Sequence, residues 1–430
     1  MKTAYTRKLT MGERILHVNA DTPINCVFAV RIKGALTAEV LRAALDKIQA
    51  KHPLLRMGIT EDRRGRPYFV NLPSIGPIPI EVVTRYDDRQ WETLSRRQWD
   101  RPFDKSRGPL AAMIWLKGPV RSELLWVCPH SVVDGVSCVA LMREMLMLLD
   151  CPEATLTSYE PFKSVHDLLG GQRTALGWGT SIKTGLLGGI GRLALGLKTW
   201  GKSTARSGEG YLLHWRLPDE PSRALVTACK KQHTTVYAAC CVAVLDAFAS
   251  VLGQRAKGKV ICPMDIRHFL PAIKNDHLFA FAPIVDVARV PGADFWERAR
   301  QTKSTLSARM AQLDVGKLLL QGEHFHGLVP SIIKLLRRLP GDHDVTFSNM
   351  GRLPIPEVYS QFQVEALFSP SVGFPWKNPN TVVLSTYGGV MDFSFMSNTS
   401  VVTREEADSI RTHMWEQLTQ AMGVFQEHVD

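Results

Sequence analysis

Two short apolar runs, AAMIWLK at 111–117 and ELLWVC at 123–128, flank a turn that contains Gly118-Pro119. Their length and their aliphatic and aromatic content predict a β-hairpin. The second run leads straight into Pro129-His130. Past Gly135, the residues Val139, Leu141, Met142, Met145, Leu146 and Leu149 recur at the spacing of a buried helix. Strand, turn, strand, loop and helix within 40 residues point to a mixed α/β architecture and set His130 on a strand-to-helix loop.

The same alternation extends in both directions. Residues 22–33 (TPINCVFAVRIK) read as a strand, followed by a helix that Thr37 caps and His52-Pro53 closes, with extended chain over 54–59. Further strands are expected at 66–71 and 80–83, and an amphipathic helix at 89–99. After residue 210 the order repeats: a strand at 211–217, a Pro221-led helix, the long apolar helix VYAACCVAVLDAFASVLG, and strands at 259–263 and 280–290. A helix at 295–313, strands at 345–347, 364–368, 381–386 and 390–395, and a terminal helix at 404–427 complete it.

With 430 residues, more than one core is expected. We divide the chain into an N-terminal half at 1–167, a Gly-rich basic connection at 168–210 and a C-terminal half at 211–430. The connection carries Trp178, Ile182, Leu186, Leu187 and Trp200 among Arg173, Lys183, Arg192 and Lys198. This composition suits packing against the rest of the protein, or peripheral contact with a membrane through 173–202. A charge of +11 favours anionic partners, yet no nucleic-acid recognition motif is present. The eight cysteines lack zinc spacing and disulfide density, the N-terminal residues lack the apolar run of an export signal, and no stretch reaches the roughly 18 uncharged apolar residues that a spanning helix requires. A cytoplasmic location is expected.

The chemistry centres on His130-Ser131-Val132-Val133-Asp134-Gly135. An imidazole titrating near neutrality can take a proton from an acceptor and return it to a leaving thiolate, and Gly135 permits close approach at the loop. Other readings use neighbouring groups. Cys128 lies two residues before His130, on the same strand face, so a Cys–His nucleophilic pair is an alternative. Ser131 offers a hydroxyl without a nucleophile elbow. His324 and His326, with Asp342, His343 and Asp344, contain metal-ligand types but no fixed ligand spacing.

HSVVDG is similar to the HxxxDG motif of the chloramphenicol acetyltransferase-like superfamily, which includes nonribosomal peptide condensation domains and polyketide-associated acyltransferases. The segment 101–110 (RPFDKSRGPL) resembles the PFDxxxGPL stretch of condensation domains and their free-standing relatives. KHPLLRMGI, Pro263-Met264-Asp265-Ile266-Arg267 and Phe347-Ser348-Asn349-Met350-Gly351 extend the resemblance over nearly the whole chain.

The resemblance implies two sheet-and-helix halves with an active-site channel between them. His130 is then the general base, and Asp134 is a loop strut paired with an arginine, for which Arg267 is the candidate. Gly135 has a structural place at the site, and Ser348 and Asn349, just after a strand, could contact an oxyanion or substrate. The expected activity is acyl transfer from acyl-CoA or a carrier-bound phosphopantetheine thioester to a hydroxyl, with no metal or redox cofactor. Amide formation and a non-catalytic carrier-binding role are the alternatives. Pro129 stands where condensation domains usually carry a second histidine. That departure, with no adenylation or carrier segment in the 430 residues, fits a free-standing enzyme.

Overall fold

The computed structural model describes residues 5–18, 22–170, 207–292 and 294–423. The proposed membrane-contact segment 173–202, and most of the 168–210 connection, lie outside them.

Three sheets carry the architecture. A small antiparallel sheet orders β1 (Tyr5–Lys8), β4 (Pro67–Asn71) and β3 (Met57–Glu61) as β1-β4-β3. The second sheet contains β2 (Asn25–Lys33), β5 (Ile80–Thr84), β6 (Ala112–Lys117), β7 (Arg121–Pro129) and β12 (Gln363–Val372), ordered β12-β2-β7-β6-β5. The third contains β8 (Gly210–Leu217), β9 (Lys259–Pro263), β10 (Ile284–Ala288), β11 (Val345–Arg352), β13 (Thr381–Tyr387) and β14 (Val390–Asn398), ordered β10-β9-β11-β13-β14-β8. Both large sheets are mixed, since β5 runs parallel to β6, and β11 runs parallel to β9 and β13.

The helices are α1 (Met11–His17), α2 (Ala38–Lys51), α3 (Gln90–Gln98), α4 (Gly135–Asp150), the short α5 (Val165–Leu168), α6 (Asp219–Lys231), α7 (Val236–Leu252), α8 (Phe295–Ala311), α9 (Val315–Phe325), α10 (Val329–Arg338) and α11 (Arg404–Met422). Local caps start several of them. The Thr37, Thr235 and Asp134 side chains accept from Val40 N, Ala238 N and Ser137 N at the starts of α2, α7 and α4. Helix α7 has the length and apolarity of a membrane span. Here it is a core helix, buried from Ala238 to Phe248, and its one acid, Asp246, is bonded to Arg289 and Arg298 at 2.7 and 2.6 Å.

Three features depart from the sequence reading. Residues 54–56 belong to a 3-10 turn before β3 rather than to extended chain. Strand β10 is shorter than 280–290, because residues 280–283 belong to a loop that Phe279 anchors in a small core with Ile266, Leu270 and Leu319. Helices α1, α9 and α10 are additional. They pack on one another, with α1 against both α9 and α10.

The two large sheets are joined by exchange of a strand. Although β12 belongs to the C-terminal part of the chain, it pairs antiparallel with β2 and completes the N-terminal sheet, with Phe368 opposite Ala29 and Val372 opposite Cys26. The core built on β2, β6, β7, α2 and α4 therefore includes Ala366, Leu367 and Phe368. This exchange carries residues 373–376 to the edge of the His130 loop.

Candidate active site

Hydrophobic anchors shape the 130–135 loop. Val132 and Val133 are fully buried, and their amides donate to Pro129 O at 2.9 and 3.3 Å. This folds the loop back over the end of β7. His130 N donates to Ile24 O at 2.7 Å, fixing the histidine backbone against the chain that leads into β2.

The ring is oriented by a second local bond. His130 Nδ1 lies 2.7 Å from Val133 O. A carbonyl only accepts, so Nδ1 carries the hydrogen and the lone pair of the neutral ring sits on Nε2. Burial lowers the imidazole pKa from its ordinary 6.5, opposed in part by the Val133 bond and the Asp134 charge. The ring is thus neutral at physiological pH, which a base requires. Phe374, delivered by β12, forms an aromatic wall with its ring centroid 5.8 Å from that of His130, and it stacks on Trp376 at an interplanar angle of 14°.

Asp134 faces away from His130. Its carboxylate caps α4 by accepting from Ser137 N and Oγ at 2.9 and 2.8 Å. Arg267 Nη1 and Nη2 grip the same carboxylate at 2.6 and 2.8 Å. The guanidinium also reaches Ser137 Oγ at 3.0 Å and Phe279 O at 3.3 Å, while Phe279 N donates to Ser137 Oγ at 3.1 Å. Among the described residues no hydrogen bond joins Asp134 to His130. The arrangement clamps a loop of the C-terminal half onto the start of α4.

Gly135 opens α4 under Met350 of β11. A Cβ at Gly135 would lie 2.5 Å from Met350 Sδ, so the absent side chain leaves room for the flexible end of Met350 at the start of α4. Ser348 and Asn349 lie within β11, not after a strand, because the ladder with β13 continues to Arg352 past a register shift. Ser348 is half-buried and Asn349 is exposed, with Asn349 Oδ1 accepting from Gly351 N at 3.0 Å. Among the described residues, neither side chain bonds to the 130–135 loop. Asp265 is exposed at the clamp's edge and accepts from Arg267 N at 3.1 Å.

Residues 18–159 match the family model of the condensation domain. The chain has the condensation-domain-like fold. It superposes on the trichothecene 15-O-acetyltransferase of Fusarium sporotrichioides with a TM-score of 0.72 and 15% identity, covering 97% of this chain and 94% of that one. With the first condensation domain of the CDA synthetase the TM-score is 0.66 at 15% identity, over 98% and 97% of the two chains. In sequence, a probable nonribosomal peptide synthetase of Salinispora arenicola is 35% identical over 129 residues. That stretch is 29% of this chain and 2% of the synthetase, so the chain spans a small part of that relative's length.

Within this condensation-like frame the competing nucleophiles are poorly placed. Cys128 is buried in the core opposite Cys26, and burial pushes its thiol well above the ordinary value, the reverse of what thiolate attack needs. Ser131 is also buried. The histidine pair separates: His324 is exposed, whereas His326 is buried, accepting from Arg14 through Nδ1 at 2.6 Å and donating to Leu9 O through Nε2 at 2.9 Å. Asp344 caps the chain at Lys257 N and Lys259 N, while Asp342 pairs with Lys259 at 2.6 Å. Among the described residues, no group of three or more His, Cys, Asp or Glu is arranged to hold a metal.

The sequence reading missed Phe374, Trp376, Ser137 and the Val133 carbonyl. Asp134 carried a helix-start signal, as an acidic N-cap just before the apolar run of α4, but nothing in the sequence marked Ser137 itself. Phe374 carried none, because its place depends on the strand exchange.

Proposed function

We propose that this chain transfers an acyl group from a thioester to a hydroxyl acceptor, with His130 as the general base. The observation that carries the proposal is the Nδ1–H bond to Val133 O, which leaves the Nε2 lone pair as the available proton acceptor. Nε2 takes the acceptor hydroxyl proton as that oxygen attacks the thioester carbonyl. Collapse of the tetrahedral intermediate forms the ester and breaks the C–S bond, and the imidazolium returns its proton to the departing thiolate. The balance needs acyl-CoA or a carrier-bound phosphopantetheine thioester as co-substrate, and no redox group or metal.

A hydroxyl is preferred because a neutral alcohol is a poor nucleophile and gains most from a base. The O-acetyltransferase named among the structural neighbours is consistent with this. Amide formation is the second reading, favoured by the local identity to a peptide synthetase. A carrier protein delivered by another chain is the natural donor in that case.

The experiment is product analysis by mass spectrometry with acyl-CoA and acyl-carrier donors, each offered an alcohol and an amine. Ester formation that falls by about 10²- to 10⁴-fold in His130→Ala supports the proposal. Full turnover in that variant overturns the role of His130, and amide products alone overturn the choice of acceptor.

A further inference from the structure

Besides Phe374, a second apolar side chain from the C-terminal half borders the 130–135 loop. Ser131, Val132, Val133 and Asp134 are buried, so His130 and Gly135 are the two positions through which the loop can meet a substrate. Met350 stands over the second of them. A Cβ at Gly135 would lie 2.5 Å from Met350 Sδ and 2.8 Å from its Cε, so the thioether end rests directly on the glycine.

An irregularity in β11 carries Met350 there. In the parallel ladder with β13, Asn349 pairs with Leu384 and Arg352 with Thr386, so Met350 and Gly351 stand against Ser385 alone. Two residues opposite one is a β-bulge, which bends its strand and re-aims a side chain. Gly351 holds the left-handed conformation at φ 64°, with nothing within 4 Å of where a Cβ would be, so backbone conformation rather than crowding calls for glycine. Asn349 Oδ1 pins the bulge by accepting from Gly351 N at 3.0 Å. Phe347 lies in the C-terminal core, whereas Met350, on the same strand, packs against the N-terminal one.

We infer that Met350 sets the length of acyl chain that the site accepts, an assignment that rests on the acyl transfer proposed above. The acyl chain has to lie beside the 130–135 loop while its carbonyl is attacked, and Phe374 and Met350 are the apolar surfaces that border that loop. The acceptor is committed through its hydroxyl to His130 Nε2. Methionine suits such a wall: it is unbranched, with several rotatable bonds, so it gives way to a short chain and resists a longer one.

The test is steady-state kinetics with acyl-CoA or acyl-carrier thioesters of graded chain length and one fixed alcohol, for the native chain, Met350→Ala and Met350→Phe. Met350→Ala removes Cγ, Sδ and Cε and should move the preferred chain about two to three carbons longer, with the kcat/KM ratio of long to short chains rising about tenfold or more. Met350→Phe should move it shorter. Should Met350→Ala not fold, Met350→Phe reads the same wall from the opposite direction. With the acyl chain fixed and the alcohol varied, both variants should keep the native order of acceptors. An unchanged chain-length profile, an equal loss at every length, or a change confined to the acceptor order overturns the assignment. If the native chain turns over no thioester, the proposed acyl transfer itself fails. Calorimetric titration with S-alkyl phosphopantetheine thioethers of graded length, which bear no carbonyl, then reads Met350 by itself: no binding, or the same preferred length in native and variant chains, overturns its role.

Discussion

Arg267 and Asp134, separated by 133 positions in the chain, meet in a two-pronged ion pair at 2.6 and 2.8 Å, with Arg267 only 3% exposed. Breaking one side of such a pair strands a buried charge, which costs about 3–5 kcal/mol. Arg267→Ala should lose stability of that order in urea unfolding, and acyl transfer should weaken with it as the start of α4 loosens. In a double-mutant cycle, Asp134→Ala with Arg267→Ala should cost clearly less than the sum of the single changes. Additive losses would show that the pair is not what holds the loop.

The catalytic pH profile follows from the burial of His130. Its folded-state pKa lies below 6.5, so the neutral base is present through neutrality and is lost only as pH falls through that depressed value. The acid limb of kcat/KM should therefore lie below 6.5. A limb above that value would contradict a desolvated, neutral imidazole as the base.

Gly135 and Gly373 test two kinds of close contact. An added Cβ at Gly135 meets the flexible end of Met350, whereas at Gly373 it meets the Trp99 ring at 2.7 Å. Trp99 is buried, and its Nε1 is tied to Ser371 Oγ at 3.0 Å, so it has little room to give. Gly373→Ala should cost about 1–3 kcal/mol by denaturant unfolding, and Gly135→Ala clearly less. Met350→Ala should relieve whatever Gly135→Ala costs.

Acid should unfold the protein partly through two histidines outside the candidate site. Burial lowers His17 to about 3, with Lys105 and Arg14 adding to the shift. Burial and Arg14 lower His326 to about 4. Below 6.5 the unfolded chain takes up protons at both positions that the folded chain refuses, so stability falls as pH drops from 6.5 toward those values. Thermal unfolding between pH 7 and 4 should show this decline. His326→Gln, which can keep one acceptor and one donor, should flatten it.

Phe374 should act on substrate rather than on the fold. Its ring is half-buried beside His130, so Phe374→Ala should change KM or acyl preference in steady-state kinetics more than it lowers the melting temperature. A change confined to stability would remove it from the site.

The sequence alone determined the local features. Hydrophobic period and capping chemistry act within a few residues, so β6, β7, α4 and the loop position of His130 were legible from 111–150. So were the motif and the pairing candidate Arg267, through resemblance. Tertiary structure decided the rest. The passage of β12 into the N-terminal sheet, the arrival of Phe374 at His130 and the meeting of Gly135 with Met350 are contacts between distant segments. No short-range pattern encodes them, because which sheet edge a strand joins depends on the packing of the completed halves. The tautomer of His130 is local in sequence, yet it too required the folded loop, since only the burial of Val132 and Val133 turns the Val133 carbonyl toward the ring.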